Sequence, residues 1–137
     1  MNNTIRLAVP KDYQKIKDWD EFWGDRRQEM QRQELFISCN SDGEILGFLT
    51  LSNSEFLNYP FISFLCVKKH YRRNGIATGL LSYIEDRLAG ARFFTSTEEN
   101  NIPANKLFQS MGYKISGKLA YIDSDNSKEV VYVKLND

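Results

Sequence analysis

The sequence predicts an α/β (α+β) fold, a mixed sheet of about six to seven strands flanked by four helices. Three observations carry this. Short β-prone apolar runs recur along the chain, other segments carry apolar residues at helical spacing, and the order is strand, two helices, three strands, helix, strand, helix, two strands. A tight turn between the second and third strands makes the early sheet antiparallel, and the strand, helix, strand succession in the middle reads as a βαβ unit. The 137 residues are expected to form one domain, 1–137, able to bury a core without a staple.

Thr4 to Val9 alternates briefly, and Pro10 can supply the first turn of a helix over Lys11 to Asp20, where Tyr13, Ile16 and Asp20 share a face. Trp19, Phe22 and Trp23 form an aromatic knot. Gly24 and Asp25 then restart the chain into a helix over Arg26 to Gln33, weakly anchored because Met30 is its only large apolar residue. Leu35 to Ser38 and Ile45 to Leu51 flank Asn40-Ser41-Asp42-Gly43, residue types that favour a hairpin turn. Phe61 to Val67 is a nearly continuous apolar run and reads as the middle strand of the sheet, buried on both faces. From Gly75 to Ala89 a stripe of Ile76, Leu80, Leu81, Ile84 and Leu88 indicates a helix closed by Gly90. Arg92 to Thr97 is strand-like, and Pro103 opens a helix with Ala104, Leu107, Phe108 and Met111 that ends at Gly112. In the tail, after a polar turn at Asp123 to Ser127, Val131, Val133 and Leu135 alternate with Val130, Tyr132 and Lys134.

Composition narrows the function. Eighteen Lys and Arg balance eighteen Asp and Glu, which argues against a protein built to coat nucleic acid or an anionic membrane. Cys39 and Cys66 each lie in an apolar run and read as free core thiols, and a single histidine, His70, leaves a zinc site short of ligands, so no metal is expected. A polar start and the lack of any apolar run near 18 residues lead to the expectation of a cytoplasmic protein.

The chemistry is concentrated in Arg72-Arg-Asn-Gly75-Ile-Ala77-Thr-Gly79, where the central strand gives way to the amphipathic helix. The first amides of a helix have no intrahelical acceptor and stand at the positive end of its dipole, so such a turn can cradle phosphate. Gly75 allows close approach or a positive φ, small Ala77 keeps the next amide reachable, and Lys68, Lys69, Arg72 and Arg73 bring positive charge. The loop lacks the Gly-Lys-Ser/Thr ending of a nucleotide P-loop, and it follows the fourth strand rather than the first, unlike a dinucleotide fingerprint.

These residues fit the Arg/Gln-x-x-Gly-x-Gly/Ala pattern through Arg72, Gly75 and Ala77. Downstream, Asn101-Ile-Pro-Ala104-Asn-Lys-Leu107-Phe108-Gln-Ser-Met-Gly112-Tyr113 fits Asn-x-x-Ala-x-x-Leu-Tyr-x-x-x-Gly-Phe. With both motifs in this order, the chain resembles the GNAT-type N-acetyltransferase superfamily over essentially its whole length. The resemblance implies a split mixed sheet and an acetyl-CoA-dependent acetyltransferase acting on a primary amine of a small molecule or protein. It implies that backbone amides of Arg73, Asn74, Gly75, Ile76, Ala77 and Thr78 hold the coenzyme A pyrophosphate, with Arg72 at the loop's start. It further implies that Leu65, Cys66 and Val67 pair through their main chain with the pantetheine arm, that Asn101 hydrogen-bonds it, and that Phe108 borders it. An amide of Leu65 to Val67 is the implied donor to the thioester oxygen.

One departure matters. Phe108 stands where many members carry a proton-donating tyrosine, so Tyr113 becomes a candidate acid, and Glu98, ahead of Glu99, a candidate base acting directly or through a water. Acceptor contacts are expected from Trp19, Trp23, Arg26 and Arg27 in the first two helices and the loop between them, and from Asn58 before the central strand. A homodimer is an open expectation. The alternative function is an acyl-CoA-binding sensor or interaction module that keeps the cradle and has lost turnover, and it is motivated by Phe108.

Overall fold

The computed structural model describes residues 3–22 and 24–136. Strand β1 (Thr4–Leu7) leads through a 3-10 turn (Pro10–Asp12) into α1 (Tyr13–Ile16), then α2 (Arg27–Gln31), β2 (Leu35–Cys39), β3 (Ile45–Phe56) and β4 (Tyr59–Val67). A second 3-10 turn (Lys69–Tyr71) precedes α3 (Ile76–Arg87), followed by β5 (Arg92–Glu98), α4 (Ile102–Ser110), β6 (Lys114–Leu119) and β7 (Glu129–Leu135). The seven strands form one mixed sheet in the order β1-β2-β3-β4-β5-β7-β6, the architecture expected from the element order, with β4 in the middle. β1, β2 and β3 are antiparallel, whereas β4 and β5 are parallel, as the helical crossover requires.

The chain divides into two compact units, Met1–Ser52 with Ser63–Arg87, and Asn53–Ile62 with Leu88–Asp137. In the first, β2 is buried along its whole length. Leu35, Ile37 and Cys39 alternate onto a cluster with Ile16, Met30 and Phe48, while Phe36 on the other face meets Tyr83 of α3 at a ring separation of 5.7 Å. Leu80, Leu81 and Ile84 supply the buried stripe of α3, as their spacing predicts, and Gly90 follows at φ +83°. In the second unit, β7 runs antiparallel to β5 from Arg92↔Leu135 to Glu98↔Glu129, and β6 forms the exposed edge. Phe108 of α4 lies 5.2 Å from the Tyr132 ring and 5.5 Å from that of Tyr113.

Several expectations are corrected. The helix expected to reach Asp20 ends at Ile16, because the Asp20 side chain turns inward to Arg26. β3 continues past Leu51 to Phe56, and Phe56 stacks on Phe61 at 5.0 Å across a two-residue turn. That turn places Leu57 and Asn58 at φ +53° and +68°, the mirror-image geometry that suits strand twist. β4 is not buried on both faces: Ile62 and Cys66 are buried, while Ser63 is exposed and Phe61 and Phe64 are half-buried. β7 does not simply alternate either, since Val130, Val131 and Tyr132 are all buried.

Candidate active site

In the first unit the strand-to-helix turn is fixed at both ends. Lys68 donates its amide to Leu46 O at 2.8 Å as β4 ends, and Tyr71 donates to Lys68 O at 2.8 Å within the 3-10 turn. Arg72 is extended, Arg73 has φ +67° and Gly75 φ +77°. A positive φ costs a side-chain-bearing residue such as Arg73 about 1 kcal/mol and persists where its surroundings over-determine it. The opening bond of α3 runs from Gly79 N to Gly75 O at 2.9 Å, so the amides of Ile76, Ala77 and Thr78 precede the helix's own acceptors. Gly75, at the cap position, has no side chain to satisfy them. A Cβ built on it would meet nothing within 4 Å, so the turn is open on that side. Ile76, 3% exposed, anchors the helix start. A Cβ on Gly47 would lie 2.9 Å from Ile76 Cγ2 and 3.0 Å from Cys66 O, so glycine there is what lets β3 approach.

The cations around this turn are not equivalent. Arg72 donates Nε to Val67 O at 3.2 Å and pairs with Glu21. Lys68 Nζ lies 3.0 Å from Glu44 Oε2, and Tyr71 donates its hydroxyl to Glu44 Oε1 at 2.8 Å. Hydrogen bonds from Lys68 and Tyr71 hold the Glu44 carboxyl below its ordinary value, and the Tyr71 phenol is raised in turn. Glu21 and Glu44 escape the sequence reading, because Glu44 is 24 residues from Lys68 and no local pattern couples them.

Leu65, Cys66 and Val67 lie in β4 outside its parallel register with β5, which covers Phe61↔Phe94 and Ile62↔Thr95. Burial, assisted by Asp20, pushes the Cys66 thiol up to about 12, and both Cys66 and Cys39 are buried and free.

The second unit holds the downstream motif. Asn101 caps α4, its Oδ1 accepting from the Ala104 amide at 3.3 Å, which leaves the side-chain nitrogen as its donor group. Phe108 is 3% and Tyr113 4% exposed. The Tyr113 ring packs on Phe93 and Phe108, with Lys134 Nζ 5.2 Å from its centroid. Glu98 closes β5 opposite Glu129. Burial, with Asp123 and Glu98 nearby, raises the Glu129 carboxyl to about 7, a group that no sequence pattern singles out. Glu99 accepts from the Lys128 amide at 3.0 Å, a turn contact.

The acceptor residues expected near the first helices separate. Arg26 is a correction: it is 4% exposed, with Nε 2.9 Å from Asp20 Oδ2, Nη1 3.0 Å from Glu29 Oε1 and its guanidinium 4.1 Å from the Phe64 ring centroid. It clips the segment to the core and is spent there. Arg27 is exposed and holds Asp25, pulling that carboxyl down to about 2. Trp19 is half-buried, donating Nε1 to Lys15 O at 2.7 Å. Asn58 is exposed in the hairpin turn, in the second unit, and Trp23 lies outside the described residues.

A family model described as Acetyltransferase (GNAT) family matches residues 3–113. GCN5-related N-acetyltransferase 6, chloroplastic, of Arabidopsis thaliana is 34% identical over 102 residues, which are 71% of this chain and 31% of that protein. The chain thus spans less than a third of that relative's length. A crystal structure of a GNAT-family acetyltransferase from Bacillus cereus ATCC 10987 is 26% identical, with a TM-score of 0.82 over 98% of this chain and 97% of that one. Naa50 of Arabidopsis thaliana, solved with the bisubstrate analogue CoA-Ac-MVNAL, shares the fold at 17% identity and a TM-score of 0.81, over 98% and 99% of the two chains. The family match takes in β1 to β5, the open turn before α3 and the capped helix α4, and on it the chain belongs to the GNAT family of acetyltransferases.

Proposed function

We propose that this protein is an acetyl-CoA-dependent N-acetyltransferase that moves an acetyl group to a primary amine of a small molecule or protein. The observation that carries the reading is the open, cation-flanked start of α3. Its amides precede the helix's own acceptors, Gly75 offers no Cβ to obstruct approach, and Arg73 and Gly75 both take the left-handed conformation that turns successive amides toward one side. These residues fit a diphosphate. Bound there, acetyl-CoA supplies an activated acetyl thioester.

The chain's own residues do the rest. Amides of Arg73 to Thr78 hold the pyrophosphate, with Arg72 at the loop's start. Leu65, Cys66 and Val67 offer main-chain groups to the pantetheine arm as an added strand would use them, and an amide among them donates to the thioester oxygen, where negative charge develops. Asn101 contributes its side-chain nitrogen to the arm. The attacking amine must be neutral, and Glu98 accepts its proton directly or through a water, with the Glu129 carboxyl facing Glu98 across the ladder. Most of the rate comes from holding amine and thioester together.

Calorimetry with acetyl-CoA, followed by an amine-panel screen with mass detection of the acylated product, tests the reading. Saturable binding and one acetylated amine are expected; no heat at millimolar acetyl-CoA sinks it. The sensor reading is favoured by one observation: Phe108 has no proton to give and is packed between the Tyr113 and Tyr132 rings. Binding without release of free thiol across the panel would select it.

A further inference from the structure

We infer that Glu44 is a positioning residue of the phosphate cradle, holding the turn that enters it in the conformation a diphosphate needs; the inference rests on the acetyl-CoA reading above. Glu44 stands on a rigid base. Asn40 Oδ1 accepts the amides of Asp42 at 3.0 Å and Glu44 at 2.9 Å, and Gly43 takes φ +82°, so the β2–β3 turn is locked by its own hydrogen bonds. From that base one carboxylate oxygen takes Lys68 Nζ at 3.0 Å and the other takes the Tyr71 hydroxyl at 2.8 Å, with Asn40 Nδ2 alongside at 3.3 Å.

Lys68 and Tyr71 are the first and last positions of a single turn, closed by the Tyr71 amide on Lys68 O. The next residues are Arg72 and the left-handed Arg73. A backbone conformation of that kind relaxes unless it is held from both sides. The downstream side is held by Ile76, buried against the space that Gly47 leaves. Glu44 supplies the upstream side, and Arg72 Nε on Val67 O fixes the middle.

The sign of the effect separates positioning from simple electrostatics. Deleting a carboxylate beside a polyanion site strengthens anion binding if charge alone matters, and weakens it if the carboxylate shapes the site. Initial rates are measured for wild type, Glu44→Ala, Glu44→Gln and Tyr71→Phe with acetyl-CoA and with S-acetylpantetheine, which lacks the diphosphate. The expected result is a KM for acetyl-CoA raised about fivefold in Glu44→Ala, with kcat unchanged and S-acetylpantetheine turnover unchanged. Glu44→Gln, which keeps an acceptor for Tyr71 and Lys68, recovers most of the loss, and Tyr71→Phe shows a smaller rise with the cradle's charge unaltered. An acetyl-CoA KM that is unchanged or lower in Glu44→Ala overturns the inference, as does an equal loss with both thioesters, the mark of general destabilisation. Wild-type protein that gives no calorimetric signal with acetyl-CoA overturns the parent reading and the inference with it.

Discussion

The chain makes two strand-to-helix turns of the same kind and finishes them in opposite ways. After β4, the helix starts behind a glycine that has no side chain to cap it, two residues take left-handed backbone, and Lys68, Lys69, Arg72 and Arg73 precede it in the chain. After β5, Asn101 caps the helix with its own side chain, Pro103 occupies the first turn, and Glu98, Glu99 and Glu129 stand nearby. A helix start that satisfies its amides internally is finished as structure. One that leaves them open beside cations suits an anion, and the proposed phosphate site rests on that difference.

The comparison can be broken most directly at Gly75. Gly75→Glu places bulk and negative charge at the open helix start, and acetyl-CoA affinity is expected to fall by about 100-fold or more in calorimetry; retained affinity would move the phosphate site elsewhere. Next in size is the support beneath it. Gly47→Ala drives a Cβ into Ile76 and the Cys66 carbonyl, and urea unfolding is expected to show a loss of about 2 kcal/mol, because backbone cannot swing aside. At the capped turn, Asn101→Ala costs about 1 kcal/mol of stability in the same assay, the ordinary worth of an N-cap. Stability unchanged in that variant would remove the contrast between the turns.

The smallest effect is conditional on pH. The folded-state value of Glu129, about 7, lies above the ordinary carboxyl value of 4.5, so its contribution is full below about pH 4.5 and is lost as pH rises through 7. Glu129→Gln is therefore expected to match wild type near pH 4 and to exceed it at pH 8, by about 1 kcal/mol once solvent screening of this partly exposed group is allowed for. Parallel stability curves for the two proteins across that range would contradict the carboxylate environment described for the β5–β7 ladder.

Sheet, helices and the glycine turn before α3 were legible because each is written locally. The helical stripe of α3, Gly90 at its end, Pro103 opening α4 and Gly75 before α3 are all short-range signals. What escaped depends on partners far apart in the chain. The end of α1 is decided by the Asp20–Arg26 pair, and the hold on the turn before α3 by Glu44 reaching Lys68 and Tyr71, neither of which has a periodicity to read. Arg26 shows the cost of reading a charge near the first helices as an acceptor contact, since a guanidinium 4% exposed beside two carboxylates and an aromatic face is part of the core. Phe108 was legible as a missing hydroxyl, but its burial between two tyrosine rings was not.

Cys66 sits in the strand whose main chain is proposed to run beside an activated thioester, where an ordinary thiol would be a competing nucleophile. With the thiol raised to about 12, thiolate is scarce at neutral pH. Acyl exchange onto the protein and oxidation of this sulfur are both suppressed by the same burial. Under the proposed reading the strand guides a reactive ester without offering it a thiolate, and the Cys66 sulfur is no rival to the acceptor amine for the acetyl group.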